Sequence, residues 1–129
     1  MAFNSTMLKD GTRQAGADLS GSQFLAVKLN TSGQVVACAA ATDYPYGILL
    51  NAPTSGQVAE VCIAGITKMV AGGSVTAADQ ITITSAGKAA TCTPGTDTTK
   101  YKIGQAITGG ASNEVITVNV NFAAAGRAA

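Results

Sequence analysis

Apolar and polar residues alternate along most of the chain with the period of a β-strand. In FLAVKLN, Leu25, Val27 and Leu29 fall on one face, and Lys28 and Asn30 fall among the positions opposite. Thr-Ser-Gly-Gln then turns the chain into the apolar run VVACAAA. The cleanest case comes last. In EVITVNVNF, Ile116, Val118, Val120 and Phe122 alternate with Thr117, Asn119 and Asn121, so one side faces a core and the other faces water or a polar partner. QITITS repeats the device with Ile81 and Ile83. Helix signals are thin. SVTAADQ offers Ser74 or Thr76 as a cap, but Gly72 and Gly73 precede it and no apolar stripe follows. The pattern predicts an all-β domain with little helix.

Two stretches carry the same punctuation, Gly33–Gly65 and Gly87–Phe122. Each begins with Gly, reaches a Cys five residues on (Cys38, Cys92), and then Thr-Asp. Each next has a Gly that opens an apolar strand (Gly47, Gly104) and, eleven residues later, a Val-led strand from Val58 or Val115. The second copy holds three extra residues before its second Gly. Two explanations stay open, an internal duplication and chance recurrence. A duplication predicts two similar meander units packed together in one barrel or sandwich. A stretch used twice as a structural unit serves as wall, so Tyr44–Gly65 is expected to be scaffold.

The ends look different. Residues 1–21 hold four of the fifteen charges, and their larger apolar residues, Phe3, Met7, Leu8 and Leu19, show no sustained period. Alone they bury too little to offset their ordering entropy. The expected organisation is an extended N-terminal arm over residues 1–21, a β-barrel domain over 22–122, and a short tail over 123–129.

Composition narrows the function classes. Charged residues make up 12 % of the 129-residue chain, against about 25 % in an average soluble domain. The net charge is +1 and the eight basic residues are scattered, so no electrostatic footprint for nucleic acid exists. Lys100 and Lys102 flank Tyr101 on what reads as a solvated strand face. The opening MAFNSTMLKDG lacks an apolar signal region, and no apolar run approaches the roughly 18 residues of a membrane span. Cys38, Cys62 and Cys92 are an odd set without CxxC spacing, which reads as small core hydrophobes made in a reducing cytosol. A single Cys38–Cys92 contact across the fold stays open.

Catalytic inventory is missing. The chain has no His and no Trp, which removes Ser–His–Asp and Cys–His arrangements and the commonest metal ligand. Of the seven acids, Glu60 and Glu114 are the best pair for glycoside hydrolysis, because they hold nearly matching positions in the two stretches. Solvent-facing strand carboxylates explain them as well. Asp10, Asp79 and Asp97 sit in turn contexts, where Asp accepts backbone hydrogen bonds. The glycines of AGG (71–73) and TGG (108–110) match no phosphate loop and read as hairpin turns. No catalytic, cofactor-binding or metal-binding residue is expected, and the chain does not read as an enzyme.

The order of segments resembles a known family. AGADLSGSQFLAVKLNTSGQVVACAAATDYPYGILLNAP is followed by GQVAEVCIAGITKMVAGGSVTAADQITITSAGKAAT and YKIGQAITGGASNEVITVNVNF. Over residues 15–122 this is similar to the capsid cement, or head decoration, proteins of tailed bacteriophages. The resemblance implies a small β-barrel or β-tulip module, commonly a trimer, on the outer surface of the virion. There it would bind the major capsid protein of the expanded head at threefold and quasi-threefold positions and stiffen the shell. On that reading the arm adds as a strand to a capsid edge, with Phe3, Met7 and Leu8 as anchors and Lys9 and Arg13 meeting shell carboxylates. A competing reading is a virion adhesin or fibre-base module, in which Tyr44, Tyr46 and Tyr101 form a platform for host glycan. Neither reading calls for a cofactor, nucleic acid or a membrane.

Overall fold

Strands form where the alternation predicts them, and two further elements form where it predicts none. The computed structural model describes residues 2–129. In chain order it has β1 (Met7–Gln14), β2 (Ala26–Leu29), β3 (Val35–Ala37), β4 (Gly47–Leu49), β5 (Val58–Val70) and β6 (Gln80–Ile83). Then come β7 (Ala89–Thr91), β8 (Tyr101–Lys102), β9 (Gly104–Ala106), β10 (Val115–Asn121), a 3₁₀ turn (Phe122–Ala124) and β11 (Gly126–Arg127). Nine strands form one sheet in the order β3-β2-β4-β5-β10-β9-β6-β7, with β1 added on β5, and β8 and β11 form a separate pair. The sheet is antiparallel and strongly curled into a half-barrel, as the all-β, small-barrel expectation requires.

The sheet order reads as the same unit twice. Val27↔Ala37 in the first unit answers Ile81↔Thr91 in the second. Val27↔Gly47 answers Ile81↔Gly104, and Ile48↔Cys62 answers Gln105↔Asn119. Irregular backbone recurs with the strands. Left-handed residues pair up as Phe24 with Ala78, Gly33 with Gly87 and Gly56 with Asn113. Chance recurrence does not reproduce register and strained conformations together, so the duplication is real. It also reaches further upstream than the sequence signal did. Gln14↔Val58 and Arg13↔Ala59 on β1 answer Val70↔Val115 and Met69↔Ile116 on β5. The parallel bridge Ala15↔Val35 answers Ala71↔Ala89. One long strand therefore serves both units: the first half of β5 ends the first, and its second half begins the second.

Each unit has an inward face. Ala15, Leu19, Val27, Val35, Leu49, Ala59 and Val61 fill the first. Their counterparts Ala71, Val75, Ile81, Ala89, Ala106, Ile116 and Val118 fill the second. Leu29 departs from the predicted apolar face and is 37 % exposed. Its counterpart Ile83 is buried beside the turn that meets the first unit, whereas among the described residues no unit packs on Leu29.

The predicted arm is corrected by these pairings. The segment expected to be a free arm is a strand: β1 pairs with β5 across Met7–Gln14. Ala15 and Leu19 are buried, and Ser5 N–H donates to Ile66 O at 3.1 Å. Further out, Phe3 N–H donates to Thr117 Oγ1 at 2.7 Å on β10, and Asn4 Oδ1 accepts from Lys68 N–H at 2.9 Å. The leader thus straps the second unit and covers Thr117, which the alternation had placed on a wet face. Met1 lies outside the described residues. The C-terminal segment is docked too. β11 pairs with β8, Ala128 is buried, and Gly95 N–H donates to Ala128 O at 2.8 Å.

Candidate functional site

The predicted capsid-binding residues divide between surface and body. Along β1, Leu8 is 60 % exposed, and Lys9 and Arg13 are exposed beside it. Phe3 is also partly exposed, while Met7 packs against the core and lies against Gly65. At Val61–Cys62, β5 carries β1 on one edge and β4 on the other; at Ala64–Gly65 it carries β1 and β10. β1 therefore closes an edge of β5 and leaves its own outer edge available. That edge is irregular, with register shifts between Leu8 and Lys9 and between Asp10 and Arg13. Bulges and charges of this kind oppose strand-on-strand pairing.

The three tyrosines come together just ahead of β4 and β9, Tyr44 and Tyr46 in the loop before β4 and Tyr101 on β8. Tyr44 and Tyr101 stand three residues ahead of the matching glycines, Gly47 and Gly104. Their rings meet edge to face with centroids 5.0 Å apart, and the Arg127 guanidinium sits 5.3 Å from the Tyr101 centroid. Tyr44, Tyr46, Leu29 and Lys28 line a cavity of about 280 Å³. Lys28 is held at its rim by Asp43, 3.0 Å away. Tyr46 O–H donates to Asp10 Oδ2, which ties the cavity wall to β1. Arg127 was missed by the sequence reading because the tail was set aside. The pairing of Tyr44 with Tyr101 was visible in the matching phrases YPYG and YKIG.

Charges around this patch are fixed by hydrogen bonds. The Asp10 carboxyl is held below its ordinary value, first by the Thr12 hydroxyl, then by Tyr46 and the Thr12 N–H, with Arg13 adding to them. Asp43 is lowered by the Ala39 N–H, then by Lys28 and the Ala40 N–H. In the second unit Asp97 holds the matching turn, its carboxylate accepting from Thr93 N–H at 2.8 Å. Asp79 accepts from Thr76 N–H at 2.9 Å. These aspartates serve the backbone, as their turn contexts predicted. Burial, followed by the Asp10 carboxylate, pushes the Tyr46 phenol up.

Other candidates resolve simply. Glu60 and Glu114 are not brought together: Glu60 lies near the start of β5, and Glu114 meets its far end through Ala71 N–H. Their positions are not equivalent either. Glu114 Oε1 accepts from Ala111 N–H at 2.6 Å just as Gln57 Oε1 accepts from Thr54 N–H at 2.9 Å. Cys38, Cys62 and Cys92 are free and buried. Burial pushes the Cys38 thiol up to about 12, far from the range of a reactive thiolate. Among the described residues no cluster of His, Cys, Asp and Glu could hold a metal ion, and no helix is long and apolar enough to cross a membrane.

Comparison with known proteins bears on the fold. No family model matches the chain, and no curated protein matches it. Among solved structures, it is similar to the head fiber gp8.5 N base of bacteriophage phi29. The likeness has a TM-score of 0.64 at 17 % identity, covering 91 % of this chain and 96 % of that one. At that identity it establishes a shared fold.

Proposed function

We propose that this chain is a structural protein of a tailed-phage virion. It sits on the outside of the mature head as a homotrimer at threefold or quasi-threefold positions and stabilises the shell. The observation that carries this reading is the end-to-end fold likeness to a phage head-fibre base, at 91 % and 96 % coverage. The order of its segments, which resembles head decoration proteins, supports the same assignment. The work is binding, without catalysis, nucleic acid or lipid.

The grip differs from a loose strand seeking an edge. With β1 held on β5, the contact with the major capsid protein is made by side chains standing off a fixed strand: Leu8, Lys9 and Arg13, with Phe3 at the strap. Met7 serves the protein's own packing. Three such patches on one trimer multiply weak contacts through effective concentration.

Purified protein mixed with expanded and unexpanded heads of the phage that encodes it tests this reading. Saturable co-sedimentation with expanded heads is expected, with a Leu8→Asp/Lys9→Glu variant losing at least tenfold in affinity. Wild-type protein that stays in the supernatant with every head form contradicts it.

A second reading, a virion adhesin or fibre-base module that binds host glycan, draws on one observation. Tyr44 and Tyr101 present an edge-to-face pair beside a cavity. Aromatic rings flanking a recess suit the apolar face of a sugar. A glycan array probed with head-bound protein and with Tyr44→Ala separates the two.

A further inference from the structure

The joint between the two units is a docking surface with its occupant in place. Ala26, Cys38, Ile48 and Cys62 point outward from the first unit and join the second unit's core cluster. At the centre, Ala26 N–H donates to Gly87 O at 2.7 Å. Gly87 lies so close that a Cβ on it would stand 2.5 Å from Ala26 O. Ile83, at the end of β6 before that turn, is 1 % exposed.

Because the units are copies, each half of this joint exists a second time without the other unit on it, though a Cβ on Gly33 would stand 3.5 Å from the Arg13 guanidinium and Cys92, the counterpart of Cys38, is already buried. At the first unit's free end, Leu29 stands where Ile83 does, and Gly33 repeats the turn of Gly87, with φ 76° against 77°. At the second unit's free end, Gln80, Gln105 and Asn119 stand where Ala26, Ile48 and Cys62 do, and all three are exposed. Gln105 and Asn119 also line an open cavity of about 300 Å³ with Asn121 and Lys102.

We propose that these two ends meet between copies of the chain. Leu29 and the Gly33 turn of one molecule seat on Gln80, Gln105 and Asn119 of the next, head to tail, repeating the internal joint. The occupant is a second copy because the same two surfaces already fit each other within one chain. Amides in place of Ala, Ile and Cys make the exposed face compatible with water before assembly. They also make the contact more polar than the internal joint, as in reversible interfaces. A contact between unlike surfaces closes into a ring when its rotation permits. A neighbour seated here fills the cavity beside Leu29 and excludes glycan from it.

The test is site-specific cross-linking of the whole chain. Ser32→Cys and Gln80→Cys are combined in one protein and treated with a short bis-maleimide; the native thiols are buried. A covalent ladder beyond dimer is expected from the double variant and from neither single variant. Leu29→Asp, a surface change, should weaken self-association at least tenfold by sedimentation with an unchanged circular dichroism spectrum. Cross-linked dimers from a single variant, absence of a ladder, or a wild-type chain that sediments as a monomer at every concentration would each overturn the proposal. Head binding is scored separately, so an assembly that uses other surfaces fails this test while still co-sedimenting with heads.

Discussion

Gly47 and Gly104 each occupy a close approach between neighbouring strands, one in each unit. A Cβ on Gly47 would stand 2.5 Å from Cys62 O, and one on Gly104 would stand 2.8 Å from Val120 Cα. Backbone cannot yield as a side-chain tip can, so Gly104→Ala should cost about 1–3 kcal/mol, the usual range for overpacking. Urea denaturation measures it, and Gly11→Ala, with open space around its Cβ, is the control. Asp10 and Asp43 set the acid limb of stability. Both have folded values below the ordinary carboxylate value, so the unfolded chain takes up protons first as pH falls. Their contribution is complete above about pH 4 and fades as pH drops through the lowered folded values. Asp43→Asn keeps an acceptor for Ala39 and Ala40 and loses only the charge. It should be less stable at neutral pH and show a flatter acid limb in thermal melts.

At the scale of elements, β5 decides the architecture. Thirteen residues long, it is the one strand both units own, and Gly65 with φ 116° marks where ownership changes. β1 is the first unit's copy of the second half of β5, so removing residues 2–14 takes away an inner strand partner rather than a tether. The truncated chain should lose the cooperative unfolding of the first unit, seen as broadened or missing amide signals for β2–β4. A truncated chain with a native spectrum would show that the first unit does not need β1. Much of this was legible in the sequence: alternation placed β2, β6 and β10, and Gly33, Gly47, Gly87 and Gly104 marked the repeat. β1 was not, because MLKDGTRQ carries charges on both faces and is held by main-chain pairing rather than by apolar periodicity. The clue lay just after it, where AGADL (Ala15–Leu19) matches AGGSV (Ala71–Val75) and supplies the same two buried positions. β8 matches the strand face read around Tyr101, but β11 was hidden for a similar reason. The two form a two-residue pair from the extra loop of the second unit and the C-terminal segment, and β11 has no pattern of its own.

For the molecule as a whole, two curled units joined at an apolar seam make a small body whose ends are exposed copies of that seam. The leader, expected to be an extended arm, is folded back onto it, and so is the C-terminal segment. On the proposed reading such a body would act through its surface, with side chains on β1 meeting the shell and the two free ends meeting its own copies. Changes at Leu8 and Lys9 should weaken head binding and leave self-association intact, whereas Leu29→Asp should lower both, because the trimer multiplies the single-patch contacts. The most direct measurement is cryo-electron microscopy of the heads of the phage that encodes this chain, with and without its gene. The account predicts added density on the outer surface, at threefold or quasi-threefold positions, that two joined units per copy fill with β1 toward the shell. Identical maps from the two particles, or the added density inside the shell, would contradict it.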